Sequence, residues 1–165
     1  MHSESRHEFH GYPLRERVFV VCGKTYRLIG PANYESLVDD PRVVRRFEQD
    51  EFMPYWAEFW PASLVLAERV GAWPTAGDDA PRVLELGCGL GLVSLVAAAR
   101  GYRVVASDYE PDALAFVEEN ARRNTLPAPE LRFVDWRRTY PDLRVERIVA
   151  SDVLYETRCL RPVAE

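Results

Sequence analysis

The sequence predicts an α/β fold built on a parallel sheet. Three observations carry this reading. From Arg82 onward, short β-prone runs alternate with helical ones, an order that requires parallel strands joined by right-handed crossovers. The first of these strands runs into a glycine-rich turn, Gly87-Cys88-Gly89-Leu90-Gly91, which opens a helix. The later strands end in carboxylates, Asp108, Asp135 and Asp152, and the crevice at strand C-terminal ends is where open α/β sheets take their ligands.

Taken in order, residues 1–13 read as a polar, flexible arm. His2, His7 and His10 lie here without acidic or cysteine partners at ligand spacing, so they read as solvated side chains, and no metal site is expected. Residues 14–76 form an N-terminal portion. Arg17–Ile29 has two runs rich in Val, Phe, Tyr and Ile around Gly23-Lys24 and predicts a β-hairpin. Gly30-Pro31 stops it, Tyr34–Val38 gives a short helical turn, and Pro41–Phe52 predicts a helix with Val43, Val44 and Phe47 at helical spacing. Met53–Trp60 holds four aromatics in eight residues. Pro61 then opens a helix that Gly71 closes. Trp73–Pro81 is loop-like and marks the boundary with the Rossmann-like part, residues 77–165. That part holds strands at Val83–Leu86, Val104–Ser107, Leu131–Val134 and Ile148–Ser151, with helices over Leu92–Arg100 and Pro111–Arg123.

Composition bounds the function. A chain of 165 residues with 47% hydrophobic and 28% charged residues has the makings of one soluble domain with a real core. The net charge of −5 argues against coating a phosphate backbone, so nucleic acid is not the expected partner. No apolar stretch approaches the roughly 20 residues that cross a bilayer, and the polar start has no signal core, so neither membrane nor export is expected. Cys22, Cys88 and Cys159 are scattered without CxxC spacing, as befits reduced thiols in the cytoplasm.

Four places carry candidate chemistry. Glu85-Leu86-Gly87-Cys88-Gly89-Leu90-Gly91 has the GxGxG pattern; a dinucleotide loop would usually place its third glycine where Leu92 stands. Glu85, two residues before the first glycine, suits an amino-acid-like, positively charged ligand. Asp108 ends the second strand 21 residues after Gly87, where a carboxylate can accept both ribose hydroxyls of an adenosine or, alternatively, cap a helix. Asp135-Trp136 offers an adenine a flat wall and a polar edge, or else a core tryptophan. Ser151-Asp152-Val153-Leu154-Tyr155 ends the fourth strand, which neighbours the first, so Asp152 and Tyr155 face the ligand and can orient an amine and drain its proton.

With these residues the chain resembles a class I, seven-β-strand, S-adenosylmethionine-dependent methyltransferase. More narrowly it is similar to the family-16 branch of protein-lysine methyltransferases and bacterial nicotinamide-N-methyltransferase-like relatives. The resemblance covers about Tyr55 to Tyr155. It rests on Tyr55-Trp-Ala-Glu-Phe-Trp-Pro-Ala62, Val83–Gly91, Ser107-Asp108, Glu119-Asn120 with Asn124, Asp135-Trp136, and Ser151-Asp-Val-Leu-Tyr155. The Asn-Pro-Pro-Tyr typical of methyltransferases that act on adenine or glutamine amides is replaced here by Ser-Asp-Val-Leu. The resemblance implies that Glu85, Gly87 and Gly89 meet the methionine part of S-adenosylmethionine and that Asp108 holds the ribose. It implies that Trp136 packs on adenine with Asp135 at its edge, that Trp60 closes over the cofactor, that Ser151 belongs to the cofactor-binding set, and that Asp152 and Tyr155 stand by the methyl-transfer channel.

The expected activity is N-methylation of a protein lysine. A small-molecule amine acceptor, a nicotinamide-dependent oxidoreductase and a non-catalytic binding module are the alternatives. Oligomeric state is not legible. The family sheet runs 3-2-1-4-5-7-6, and this sequence supplies strands one to four in the order 3-2-1-4, with the N-terminal hairpin and helices before them. It therefore reads as the cofactor-binding part of a longer, C-terminally truncated methyltransferase whose fourth strand keeps an open edge.

Overall fold

The computed structural model describes residues 8–154 and 157–164. The expected flexible arm is ordered from Glu8 on, because β1 (Glu8–Phe9) folds back on the start of β2 (Tyr12–Val21). His10 is exposed but tethered: its ring stacks on Phe9 and its Nδ1 lies 3.0 Å from Asp112 Oδ1. Strand β2 pairs antiparallel with β3 (Lys24–Pro31) through the two-residue turn Cys22-Gly23. Both turn residues have positive φ, 46° and 79°, the backbone that matches the right-handed twist of a hairpin. The hairpin is longer than the Arg17–Ile29 expected, because β2 changes its buried face midway. Tyr12 and Leu14 face a cluster with Trp56 and Phe116, whereas Phe19 and Val21 face the core beneath Leu28, Ala67 and Val70.

Helix α1 (Tyr34–Val38) starts at an Asn33 cap and α2 (Pro41–Asp50) at an Asp40 cap, whose Oδ1 accepts the Arg42 N–H at 2.7 Å. A single 3₁₀ turn over Tyr55–Ala57 leads to α3 (Pro61–Gly71), with Trp60 at its N-cap.

The second half alternates as the sequence predicts: β4 (Arg82–Leu86), α4 (Leu92–Ala99), β5 (Arg103–Asp108), α5 (Pro111–Arg123), β6 (Glu130–Phe133) and β7 (Arg147–Ala150). The four strands are parallel in the order β6-β5-β4-β7, the predicted 3-2-1-4. Helix α4 is apolar all round because it is buried between the sheet and its neighbours; of its residues only Ala99 is not fully buried. One further helix, α6 (Thr157–Ala164), follows β7. The sequence reading assigns no element to this segment; the helix holds Pro162 within it. Among the described residues no helix is long and apolar enough to cross a membrane.

Candidate active site

The C-terminal ends of β4, β5, β6 and β7 open onto one cleft of about 580 Å³, within the ~300–1,000 Å³ usual for small-molecule sites. The glycine turn forms its floor. Gly87 and Gly89 have φ of 62° and 49°, which side chains rarely adopt. A Cβ on Gly87 would come within 2.9 Å of Val153 and 3.4 Å of Trp136, and one on Gly89 within 3.2 Å of the Trp56 carbonyl. The turn is thus clamped between an aromatic 3₁₀ segment on one side and the β6 and β7 ends on the other.

Two carboxylates support it from below. Glu85 is 2% exposed, and its Oε2 accepts the Ser94 hydroxyl at 2.5 Å. Burial raises its pKa to about 8. Asp108 is 9% exposed and braces the turn: Oδ2 accepts the Gly89 N–H at 2.9 Å, and Oδ1 accepts the Glu110 N–H at 3.0 Å. Burial raises its pKa to about 6, against the pull of those backbone donors. Among the described residues, neither carboxylate is paired with a cation. With about four acceptor positions on its carboxylate, Asp108 can take a further donor besides these backbone N–H groups.

At the β6 end, Trp136 flanks the floor as a wall. Asp135 lines the cleft beside it and is held by a guanidinium. Arg137 grips it with Nε on Oδ1 at 2.8 Å and Nη2 on Oδ2 at 3.0 Å, which lowers its pKa. Arg137 also donates to the Tyr109 hydroxyl at 3.1 Å, so a guanidinium that the sequence reading overlooked lines this side of the cleft. Glu110, also overlooked although it lies two residues past Asp108, reaches the cleft and pairs with Arg46 at 2.6 Å.

Ser151, Asp152 and Val153 close the β7 side. Asp152 is exposed and has a φ of 53°, a left-handed conformation of the sort often stored at functional sites. Tyr155 lies outside the described residues. Trp60 stands at the mouth, 39% exposed, with its Nε1–H donated to the Tyr55 carbonyl at 2.8 Å. Trp56 by contrast is buried in the cluster with Tyr12 and Phe116 while its backbone touches the turn. The mouth is bridged by Arg158 of α6, which donates to the Asp50 and Glu51 carbonyls at 2.8 and 3.0 Å.

A parallel 3-2-1-4 sheet thus places a clamped GxGxG floor, a strand-end Asp and a strand-end Trp around one ligand-sized cleft, and comparison with known proteins gives the chain's family. The profile of the lysine methyltransferase family matches residues 45–165, and the chain belongs to that family. Two relatives illustrate the similarity. The protein-lysine methyltransferase METTL21E of Mus musculus is 33% identical over 112 residues, covering 61% of this chain and 46% of the relative. An uncharacterized RNA methyltransferase of Protochlamydia amoebophila is 28% identical over 130 residues, covering 79% of this chain and 29% of the relative. Among solved structures, the T. thermophilus 16S rRNA N2 G1207 methyltransferase in complex with AdoMet and guanosine superposes with a TM-score of 0.56 at 22% identity, covering 87% of this chain and 35% of that one. That likeness establishes the fold. The chain spans less than half the length of these relatives.

Proposed function

We propose that this chain carries the cofactor-binding part of an S-adenosylmethionine-dependent N-methyltransferase whose acceptor is a protein lysine. One observation carries the reading. Two buried carboxylates without a cationic partner among the described residues, Glu85 and Asp108, face one cleft beside a tryptophan wall. Such a site wants a ligand with positive charge, hydroxyl donors and a flat ring. S-adenosylmethionine has all three, and when bound it supplies a methyl group activated by a sulfonium leaving group.

In this reading Glu85 and the backbone of Gly87 and Gly89 hold the amino-acid end, and Asp108 accepts the ribose hydroxyls. Trp136 packs on the adenine, with Asp135, locked by Arg137, at its edge. Trp60 swings over the open side, and Ser151 completes the wall. A lysine amine has a reference pKa near 10.4 and arrives charged, so the site must favour its neutral form. Asp152, at the solvent boundary, accepts an amine N–H, orients the lone pair and passes the released proton outward. Tyr155 is assigned to the same acceptor channel.

Membership of the lysine methyltransferase family supports the protein acceptor. The RNA acceptor in the name of the Protochlamydia relative fits poorly with a net charge of −5. Three scattered cysteines without CxxC spacing support a cytoplasmic setting.

Calorimetry tests the cofactor. S-adenosylhomocysteine is expected to bind the intact chain, and stabilisation by a nicotinamide dinucleotide in its place would overturn the reading. Tritiated S-adenosylmethionine with cell extract tests the acceptor. Label is expected in protease-sensitive protein bands; label confined to RNA or small molecules would reject a protein lysine. The chain's single lysine, Lys24, confines self-labelling of lysine to one position.

A further inference from the structure

Strand β3 has a second edge, facing away from β2, and two asparagines close it, Asn120 in α5 and Asn124 at that helix's C-cap. Asn124 Oδ1 accepts the Arg27 N–H at 2.9 Å, and its Nδ2 donates to the Arg27 carbonyl at 2.7 Å. Asn120 repeats the pattern one turn earlier: Oδ1 accepts the Ile29 N–H at 2.8 Å, and Nδ2 donates to the Ile29 carbonyl at 3.0 Å. The spacing has a geometric reason. Four residues of α-helix rise about 6.0 Å. Two residues of strand, the interval between successive edge-facing peptide groups, advance about 6.7 Å. Asparagines at i and i+4 on a helix therefore meet residues j and j+2 of a strand, and the helix serves as a substitute for a fourth hairpin strand.

The two are not equivalent. Asn124 uses its remaining capacity within its own helix, donating to the Asn120 carbonyl at 2.8 Å. Asn120 is fully buried, and its Nδ2 reaches the Leu90 carbonyl at 3.0 Å, inside the glycine turn. Leu90 packs in the same cluster as Ile29, Trp56 and Phe116. One side chain thus ties the hairpin, α5 and the floor of the cleft together.

We propose that Asn120 is a positioning residue for the cofactor turn: it holds the Leu90 peptide, and with it the turn conformation in which the Gly89 N–H donates to Asp108 and the Gly91 N–H to the Cys88 carbonyl, by anchoring the turn to the N-terminal hairpin. The identity of the ligand rests on the reading above; the anchoring does not. In a chain so built, the hairpin is part of the cofactor site although none of its residues line the cleft.

Asn120 and Asn124 form a matched pair for the test. Asn124→Ala removes two bonds to the hairpin and none to the turn; Asn120→Ala removes the same kind of bonds plus the one to Leu90. Hydrogen exchange in the full chain without ligand is expected to speed at least tenfold at the Gly89 and Gly91 amides in Asn120→Ala. In Asn124→Ala those amides should stay near wild type while the Arg27 amide exchanges faster. Calorimetry with S-adenosylhomocysteine should show affinity falling about tenfold or more in Asn120→Ala and less than threefold in Asn124→Ala. Equal exchange at Gly89 and Gly91 in the two variants overturns the proposal. Should Asn120→Ala fail to fold, Asn120→Ser, which leaves a hydroxyl too short to span both carbonyls, reads the same amides. Absence of binding by the wild type would overturn the cofactor reading alone, because the exchange comparison judges the anchor without any ligand.

Discussion

At the scale of single residues, the cleft is governed by acids that burial keeps from ionising easily. The Glu85 pKa of about 8 lies above the ordinary 4.5, so the folded chain retains a proton that the unfolded chain sheds. The stability this lends is full below about pH 4.5 and is lost as pH rises toward 8, at no more than about 1.4 kcal/mol per pH unit. Asp108, at about 6 against 3.8, adds the same sign over the lower part of that window. Urea melts of the ligand-free protein are expected to show stability falling from pH 5 to 8, with a flatter profile in Glu85→Gln; parallel profiles would refute the assignment. Ligand binding runs the other way, because ribose hydroxyls need an ionised acceptor. Affinity for S-adenosylhomocysteine is expected to drop about tenfold between pH 7 and 5 as Asp108 takes up a proton. Asp108→Asn should lose about 1.5–3 kcal/mol of binding at pH 7, the worth of hydrogen bonds to a charged group, with less change across that range. Calorimetry at both pH values reads both effects, and an Asp108→Asn affinity equal to wild type would reject the ribose role.

At the scale of elements, the N-terminal hairpin and the cofactor-binding part share one core. Phe116 on α5 is fully buried and meets Phe9, Tyr12 and Trp56, with ring centroids 4.9, 6.1 and 5.7 Å away. Phe116→Ala is expected to cost about 3–5 kcal/mol. Tryptophan fluorescence and far-UV circular dichroism should still follow one common transition; separate transitions would mean that the hairpin unfolds by itself. This joining explains what was legible in the sequence. The alternation from Arg82, the GxGxG turn and the strand-end acids are local signals, each readable within ten residues, and they gave the sheet, its order and the neighbourhood of the cleft. The face switch along β2, the hold of Arg137 on Asp135 and the reach of Asn120 to Leu90 depend on through-space neighbours. Asp135 was legible as a polar group beside Trp136, but not its partner, because the sequence puts Arg137 two positions away without saying that the turn folds it back. The sequence reading assigns no element where helix α6 lies; in the structure Arg158 ties it to the end of α2.

At the scale of the whole molecule, the sheet is asymmetric. Strand β6 is one margin and β7 the other, and among the described residues β7 is paired only with β4. Ile148 on β7 is 62% exposed and Leu154 just beyond it 55% exposed, so the open edge is flanked by apolar side chains. An unpaired, apolar strand next to buried parallel neighbours is a template for pairing with another chain. The net charge of −5 opposes close approach at low ionic strength, and salt screens that repulsion. This chain in isolation is therefore expected to self-associate in a concentration-dependent way, more strongly at 0.5 M salt than at 0.05 M. Ile148→Lys places a charge beside the edge, the device by which natural edge strands resist pairing, and should shift the population toward monomer. Because Ile148 does not line the cleft, the substitution should leave S-adenosylhomocysteine affinity within about twofold of wild type. Sedimentation velocity at both salt concentrations, with calorimetry on the monomer fraction, separates the two functions of the sheet. A variant that still associates like wild type would show that contact runs through another surface, such as Val65 on α3, which is 66% exposed.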